Sequence, residues 1–329
     1  MCGIVGAVAE RNIVPVLIEG LRRLEYRGYD SAGLAVIGAG RLTRLRTVGK
    51  VQKLEEALAA TPASGDTGIA HTRWATHGAP SERNAHPHLS REGLAIVHNG
   101  IIENHEALRA DLERRGYRFD SETDTEVVAH RIHFHLQGSH DLLAAVRATV
   151  AELEGAYALA VISEQEPGRV VAARAGCPVV VGLGVEENFV ASDVAALLPV
   201  TRRFMFLEEG DLADIRRKSI RIIDANGADV ERAVRESDLS ADAAEKGPYR
   251  HFMLKEIHEQ PRAIADTLAE RVAHGRLLEA AFGPAAAEVF KRTACVHIVA
   301  CGTSYHAASV VRYFIEQICR IPCAVDIAS

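Results

Sequence analysis

The amino-acid sequence predicts an α+β domain followed by the beginning of a separate α/β unit. The chain opens with a strand, helix and strand pattern, and from Ala156 onward short apolar runs alternate with turn residues. Near the end, an apolar strand leads through small residues into a helix, which is typical of α/β proteins. With 329 residues, the chain is long enough for two domains that each have a core.

The opening elements follow from the spacing of apolar residues. An apolar run over 2–8 predicts a strand, the helical spacing over 13–25 predicts a helix, and 32–37 resumes a strand. Short buried strands are expected at 68–71 and 94–98. The loop between them is rich in Pro, His and Asn, so we expect it to belong to the site region.

Two further helices are predicted from the residues at their ends. The first covers 105–115 and stops at Gly116, while the second begins with a capping box formed by Thr123 and Glu126. The first domain is thus expected to combine these two helices with many strands. The strands expected after Ala156 cover 157–162, 170–173, 179–182, 189–191 and 219–223.

A polar segment separates the two parts of the chain. Residues 237–247 contain almost no large apolar residue and predict a linker. We therefore expect a first domain over 2–236, a linker over 237–248 and a second domain over 249–329. The elements expected in the second domain are a helix over 252–274 interrupted at Pro261, a strand over 296–300 and a helix from about Tyr305 to Ile318.

The composition argues against several classes of protein. The chain is 48% hydrophobic and 25% charged, and its net charge of −6 offers no basic excess for a nucleic-acid backbone. No stretch approaches the roughly 18 consecutive apolar residues of a membrane span, and the start lacks the layout of a secretory signal. The six cysteines suit neither a disulfide scaffold nor paired CxxC metal ligands. We therefore expect a cytoplasmic protein with reduced thiols that binds neither nucleic acid nor a membrane.

The second residue is a candidate nucleophile. Removal of Met1 would make Cys2 the first residue, and the small cysteine side chain suits that excision. A free thiol has a pKa near 8.5, and an α-amino group, with a pKa of about 7.7 to 8.0, can accept its proton near the working pH. The alternative is that Cys2 only begins a buried strand, and the opening residues alone do not exclude it.

Four separated segments accompany Cys2 and the CGIVG start. Together they resemble the N-terminal-nucleophile class II glutamine amidotransferases, and in particular the branch that transfers ammonia to a sugar phosphate. The resemblance runs from Cys2 to Ser329. The segments are RRLEYRGYDSAG (22–33), HTRWATHG (71–78), HNGIIE (98–103) and ETDTE (122–126).

The resemblance implies both a fold and an activity. The fold is a four-layer αββα N-terminal-nucleophile sandwich, followed by the start of an α/β sugar isomerase (SIS) domain. Members of the family hydrolyse the side-chain amide of glutamine on the N-terminal cysteine, and this branch passes the ammonia to fructose 6-phosphate in hexosamine biosynthesis. The resemblance implies no cofactor, no metal, L-glutamine and D-fructose 6-phosphate as substrates, and a homodimer for the whole protein.

The roles that the resemblance implies also suit the chemistry of the side chains. Asn99 and Gly100 supply an amide and a backbone N–H for an oxyanion hole, and the planar fork of Arg73 suits the α-carboxylate of glutamine. Asp124 would bind the α-ammonium group. The resemblance further assigns Trp74, Thr76 and His77 to the glutamine pocket, Arg27 to support of the nucleophile, and Thr303 and Ser304 to the sugar phosphate.

These residues also have ordinary structural explanations. Asn-Gly is a common hairpin turn, and Asp124 stands where a helix cap is expected. A lone tryptophan usually packs in a core, and Arg27 could be an exposed charge at a helix end. Nine of the 15 histidines fall between His71 and His135, so a metal site is a further alternative, although their spacings match no recognised zinc pattern.

The second domain carries a candidate anion site. Residues 301–304 follow an apolar strand and open a helix, so hydroxyls and free backbone N–H groups would face a phosphate. The chain ends one strand later, and most of the isomerase half of the family pattern is missing. We therefore expect this chain to hydrolyse glutamine and a longer protein to perform the sugar reaction.

Two other functions stay open at this point. Another class II amidotransferase would share the first domain but would need a phosphoribosyl or ATP-pyrophosphatase motif after it, and CGTSYH (301–306) is the feature that discriminates. A sugar-phosphate-binding regulatory protein with an inactive glutaminase domain would bind fructose 6-phosphate without releasing glutamate.

Overall fold

The computed structural model describes residues 2–75, 78–237, 248–268, 271–273, 276–282 and 285–328. The chain divides into two compact units, Met1–Gly247 and Pro248–Ser329. Most of the expected linker lies outside the described residues. The helices are α1 Val14–Arg23, α2 Val51–Ala60, α3 His105–Arg114, α4 Asp124–Ser139, α5 Leu142–Val150, α6 Phe252–Leu268, α7 Ala286–Arg292 and α8 Gly302–Phe314.

The strands fall into two large sheets in the first unit and two short pairs in the second. They are β1 Gly3–Val8, β2 Ser31–Gly38, β3 Arg41–Val48, β4 Thr67–Arg73, β5 His88–Leu89, β6 Leu94–Ile102, β7 Gly155–Ser163, β8 Arg169–Ala175, β9 Val180–Leu183, β10 Asn188–Ala191, β11 Arg203–Phe206, β12 Leu212–Arg216, β13 Ile220–Ile223, β14 Asp229–Val230, β15 Val234–Glu236, β16 Val272–Ala273, β17 Arg276–Leu277, β18 Val296–Ala300 and β19 Cys323–Ile327.

The first unit contains two antiparallel sheets packed face to face. The eight-stranded sheet has the order β15-β11-β9-β10-β1-β4-β2-β3, and the seven-stranded sheet has the order β14-β13-β12-β8-β7-β6-β5. Strand β1 lies inside the first sheet, paired with β4 on one side and β10 on the other. The residue that precedes β1 is therefore held by an internal strand.

Three apolar cores separate four layers. One core packs α1 and α2 on the outer face of the eight-stranded sheet, a second fills the space between the sheets, and a third packs α4 and α5 on the seven-stranded sheet. Successive residues of a strand point to opposite faces, so strands buried on both sides are apolar at nearly every position. The order helix, sheet, sheet, helix confirms the expected four-layer αββα architecture.

The first unit holds more helices than expected. Its described residues contain five, α1 to α5, whereas the sequence predicted one helix over 13–25 and two further helices, and so missed α2 and α5. Helix α2 escaped notice because only Val51 and Leu54 are fully buried along it. Strand β3 was also missed, since it is the edge of its sheet and carries charged residues rather than an apolar run.

The second unit corrects two expected element boundaries. Helix α6 runs through Pro261 without interruption and ends at Leu268, so it does not extend over 252–274. Helix α8 begins at Gly302 rather than near Tyr305 and continues into a π-helical turn, Ile315–Cys319. Strands β18 and β19 pair in parallel on either side of α8, which is the expected strand, helix and strand order. None of the helices in the described ranges combines the length and apolar composition needed to cross a membrane.

Candidate active site

The candidate site lies at one end of the space between the two sheets. Ile4 and Ile69 of the first sheet and Val97 of the second sheet belong to the core between the sheets. Side chains along a strand alternate between the two faces of a sheet with a period of two. Cys2 therefore shares a face with Ile4, His71 with Ile69, and Asn99 with Val97. The apolar core thus gives way to a polar cluster at this end of the sandwich.

A small cavity opens among these polar side chains. It joins the start of the chain, the end of β4, strand β6 and the N-terminus of α4. It brings together five residues that the sequence predicted for the site. The cavity is lined by Cys2, Arg73, Trp74, His86, His98, Gly100, Thr123, Asp124 and Thr125.

The Cys2 thiol is held against the backbone of Trp74. The Trp74 N–H donates to Cys2 Sγ at 3.2 Å, and the thiol donates to the Trp74 carbonyl at 3.6 Å. Burial raises the pKa of the Cys2 thiol, while the Trp74 N–H and the positive charge of Arg73 act in the opposite direction. Because a buried thiol is reluctant to ionise, nucleophilic attack by Cys2 requires a base close to Sγ.

Asn99 and Gly100 lie inside a strand and do not form a turn. They occupy β6, paired with Ala158 and Tyr157 of β7, so the hairpin interpretation is wrong. The Asn99 Nδ2 group donates to the Cys2 carbonyl at 3.3 Å. Gly100 has a φ of +123°, and a Cβ there would lie 2.0 Å from the Ala156 carbonyl oxygen. Only glycine fits this position without moving the backbone.

Arg73 and Asp124 place opposite charges on the wall of the cavity. Arg73 is only 3% exposed and Asp124 only 4% exposed. Burial lowers the pKa of Arg73, and the carboxylates of Asp30 and Asp124 oppose that change. One Asp124 oxygen accepts the Ile102 N–H at 2.9 Å. A buried cation and a buried anion beside one cavity suit a zwitterion, since each charge needs a partner when water is excluded.

At the start of α4, the residue that caps the helix is different from the residue that places a negative charge beside the cavity. Thr123 is the N-cap, and its hydroxyl accepts the Glu126 N–H at 3.3 Å. Asp124 is the first helical residue and does not cap the helix. The Glu126 carboxylate reaches past Thr123 and accepts the N–H groups of Asp120 and Ser121. Half of the predicted capping box is therefore present, because the Thr123 N–H donates to Ser121 Oγ and not to Glu126.

Trp74 does not pack in a core. Its side chain is 54% exposed, and its ring lies against Gly28, where an added Cβ would approach it to 3.0 Å. The Asp30 carboxylate accepts the Ala75 N–H at 2.5 Å and so holds the turn that carries Trp74. Thr76 and His77, which the sequence also assigned to this pocket, lie outside the described residues.

Arg27 is buried behind the nucleophile. Its guanidinium donates to the Cys2 carbonyl at 3.3 Å and to Asp193 at 2.6 Å. The Tyr26 hydroxyl donates to the same carboxylate at 2.7 Å. Because its side chain is only 10% exposed, the alternative of an exposed charge at a helix end is wrong.

The sequence analysis missed several buried partners of the site. His86 and His98 both hydrogen-bond the Thr125 hydroxyl, at 2.8 and 2.9 Å, and His71 hydrogen-bonds Asn99 at 2.9 Å. Asp30 was also missed. The alternation of Ile69, His71 and Arg73 along β4 was the available signal, because it predicts that His71 and Arg73 share one face. In the part of the chain that the structure describes, no three His, Cys, Asp or Glu residues are grouped to hold a metal ion.

Thr303 and Ser304 lie in the other unit. They are the second and third residues of α8, after the N-cap Cys301 and Gly302, and the Cys301 side chain makes no capping hydrogen bond. The backbone N–H groups in the first turn of a helix lack partners within that helix. Both residues therefore lie at the start of the helix that follows β18, which is the strand-to-helix junction that the sequence predicted.

Comparison with known proteins finds relatives along the whole chain and a family model that matches part of it. Residues 71–199 match the glutamine amidotransferase domain family. The chain is 60% identical over its entire length to the glutamine–fructose-6-phosphate aminotransferase (isomerizing) of Pseudomonas aeruginosa, and 56% identical to that of Escherichia coli K12. It covers 54% of each of these relatives, so it spans about half their length.

Two solved structures share the fold. One, described as the allosteric regulatory enzyme of purine biosynthesis, has a TM-score of 0.60 and 26% identity, and the match covers 68% of this chain and 49% of that one. The other is the glutamine phosphoribosylpyrophosphate amidotransferase from B. subtilis, with a TM-score of 0.60 and 21% identity over 98% of this chain and 65% of that one. The much higher identity to the fructose-6-phosphate relatives favours their branch over the phosphoribosyl branch.

Proposed function

This chain belongs to the glutamine–fructose-6-phosphate aminotransferase family, and from that premise we propose that its first unit hydrolyses glutamine to glutamate and ammonia. The observation that supports this most directly is the convergence of the partly buried Cys2 thiol, the Gly100 backbone and two opposite charges on one small cavity. Arg73 would bind the α-carboxylate of glutamine and Asp124 its α-ammonium group. The side-chain amide then extends towards Cys2.

The reaction begins with proton transfer from the Cys2 thiol. Once Met1 has been removed, the α-amino group of Cys2 accepts that proton, directly or through a water molecule. The sulfur attacks the amide carbon, and the Asn99 Nδ2 and Gly100 N–H groups stabilise the oxyanion that forms. The same amino group returns the proton to the leaving ammonia. Water then hydrolyses the γ-glutamyl thioester to glutamate and regenerates the thiol.

We propose that the complete protein uses this ammonia to convert fructose 6-phosphate into glucosamine 6-phosphate. Pro248–Ser329 would be the start of its first sugar isomerase domain, and the hydroxyls of Thr303 and Ser304, with the N-terminus of α8, would bind the phosphate. The names of the relatives support this reaction, as do the residues at the start of α8. A cytoplasmic location and a homodimer complete the proposal.

Glutamate release by the wild type and by Cys2→Ala tests the proposed function. We expect the wild type to release glutamate and the variant to lose this activity, because the thiol forms the covalent intermediate. The matched control is Cys177→Ala, which removes another partly buried thiol that does not line the cavity and leaves activity intact.

Intact-mass analysis of the same samples tests the role of the amino group. Active enzyme should lack Met1. A chain that retains Met1 and still hydrolyses glutamine at the full rate would contradict the proposed base. Addition of fructose 6-phosphate to a longer protein that carries the remaining half of its relatives' length should yield glucosamine 6-phosphate, whereas sugar binding without Cys2-dependent glutamate release would indicate a regulatory protein.

A further inference from the structure

His71 makes a hydrogen bond that joins the two sheets at the candidate active site. Its Nε2 atom lies 2.9 Å from the Asn99 Oδ1 atom. His71 belongs to β4 of the eight-stranded sheet, and Asn99 belongs to β6 of the seven-stranded sheet. The contact therefore connects the strand beside the nucleophile with the strand that carries the oxyanion donor.

The protonation of this pair follows from what each atom can do. The carbonyl oxygen of an asparagine side chain only accepts hydrogen bonds, so His71 must carry its proton on Nε2 and donate it to Asn99 Oδ1. The other end of the amide then has to present Nδ2, which donates to the Cys2 carbonyl at 3.3 Å. Reversing the amide would place an N–H group against the N–H group of His71 and an oxygen against the Cys2 carbonyl.

The His71 ring is held firmly enough to impose this orientation. The residue is fully buried, and its backbone pairs with Ile4 of β1 and Gly33 of β2. The ring of His86 lies behind it, with centroids 4.3 Å apart. Burial also lowers the pKa of His71 to about 3, which keeps the ring neutral at the pH where a cysteine amidotransferase works.

We propose that His71 is a positioning residue for glutamine hydrolysis: it fixes the side-chain amide of Asn99 so that Nδ2 faces the oxygen of the reacting carbonyl group, where the oxyanion forms. The proposal rests on the proposed function. His71 is fully buried, so it does not touch glutamine and acts only through Asn99, which is partly exposed. The donor of the oxyanion hole is then oriented before the substrate arrives, and such preorganisation is the main source of electrostatic catalysis.

Three substitutions of His71 separate this role from simple core packing. His71→Phe keeps a planar ring but removes the donor, and His71→Asn keeps a polar group that is too short to reach Asn99. His71→Gln places an amide N–H close to the position of the Nε2 proton. We expect kcat for glutamine hydrolysis to fall by about 10- to 100-fold in His71→Phe and His71→Asn, and His71→Gln to recover most of it.

Two measurements show that the loss arises in the oxyanion hole. The KM for glutamine should stay unchanged, because Arg73 and Asp124 are untouched. Alkylation of Cys2 by iodoacetamide should keep its wild-type rate, since the sulfur displaces iodide from a saturated carbon, forming a C–S bond while the C–I bond breaks, and no oxyanion develops. A parallel loss of alkylation rate would show that the substitution disturbs the thiol and would overturn the proposal.

A double-mutant cycle with Asn99→Ala completes the test. If His71 acts through Asn99, His71→Phe should cause no further loss of kcat in the Asn99→Ala background. The matched control is His133→Phe, which removes a buried histidine hydrogen-bonded to Tyr117 at 2.7 Å, away from the cavity, and should leave kcat unchanged. Urea unfolding of each variant identifies any that are not folded, and His71→Asn replaces His71→Phe in the cycle if the latter does not fold.

The outcomes distinguish the two proposals. No glutamate release by the wild type would contradict the proposed function itself. Wild-type glutamate release with unchanged kcat in folded His71→Phe or His71→Asn, or additive losses in the double mutant, would contradict the positioning role alone.

Discussion

Gly100 shows how one residue type is required by the geometry of the site. Its φ of +123° is rarely adopted by residues with a side chain, and its Cα faces the carbonyl of Ala156 on the neighbouring strand. The close approach belongs to the regular pairing of β6 with β7. Gly100 therefore lines the cavity from within a sheet rather than from a loop.

We expect Gly100→Ala to reduce both stability and glutamine hydrolysis. A Cβ 2.0 Å from the Ala156 oxygen forces the strands apart, so the free energy of unfolding should fall by at least about 2 kcal/mol, and kcat should fall with it. Urea unfolding and glutamate release measure the two effects.

Gly116→Ala is the matched control for that substitution. Gly116 also has a positive φ, +84°, but an added Cβ there meets nothing within 4 Å. It should therefore show only the conformational cost of about 1 kcal/mol and keep its activity. Equal effects of the two substitutions would mean that the contact with Ala156 is unimportant.

At the scale of secondary structure, the N-terminus of α4 links folding to substrate binding. The Thr123 hydroxyl is hydrogen-bonded to the Glu126 N–H, to His88 Nε2 at 3.0 Å and to Ser121 at 3.0 Å. The next residue, Asp124, carries the charge proposed to bind the α-ammonium group. A cap that fixes the first turn therefore also fixes the position of that carboxylate.

Thr123→Ala should destabilise the first unit and weaken glutamine binding. Loss of the cap and of the His88 partner is expected to lower the free energy of unfolding by about 1 to 2 kcal/mol. The KM for glutamine should rise more than kcat falls, because the proposed role of Asp124 is to bind the substrate and not to take part in the chemistry. Thr123→Ser keeps the hydroxyl and should behave like the wild type. A KM unchanged in Thr123→Ala would argue against this coupling.

At the scale of the whole molecule, three histidines from β4, from β5 and from the segment just before β5 form a buried group. His71, His86 and His88 are each at most 4% exposed, and neighbouring rings lie 4.3 and 4.8 Å apart. Burial lowers the pKa of His71 to about 3 and lowers those of His86 and His88 well below the ordinary value. All three rings are neutral in the native protein near neutral pH.

We expect the stability of the first unit to fall as the pH falls below about 6.5. In the unfolded chain these rings take up protons near that pH, whereas in the native state they do so only at lower pH. The unfolded state therefore binds more protons in this window, and the free energy of unfolding decreases by up to about 1.4 kcal/mol per pH unit for each histidine. The loss continues until the pH falls through the native-state pKa values.

Urea unfolding between about pH 7.5 and 5 measures this dependence. His88→Gln removes one of the three buried histidines. The change in the free energy of unfolding per pH unit should therefore decrease by the contribution of one histidine. His140→Asn replaces an exposed histidine at the end of α4 and should leave the slope unchanged. A slope identical in the wild type and His88→Gln would contradict the role of the buried cluster.

Local sequence signals predicted much of the first unit. The strand at the start, the helix that follows it, the end of α3 before Gly116 and the cap of α4 at Thr123 were confirmed. Elements with weak apolar signals, such as the charged edge strand β3 and the mostly exposed helix α2, were missed. A helix or strand that buries little surface leaves little pattern in its own residues.

The sequence by itself determined the family, the candidate nucleophile and the residue types that suit glutamine, because these depend on short segments whose chemistry can be recognised one at a time. Only the tertiary structure decided that Asn99-Gly100 is part of a strand, that the Arg27 side chain lies behind Cys2, and that His71 is hydrogen-bonded to Asn99. Each of these facts depends on a partner far away in the chain, namely Tyr157, Asp193 or the opposite sheet. Local spacing carries no information about which distant strand a residue will face.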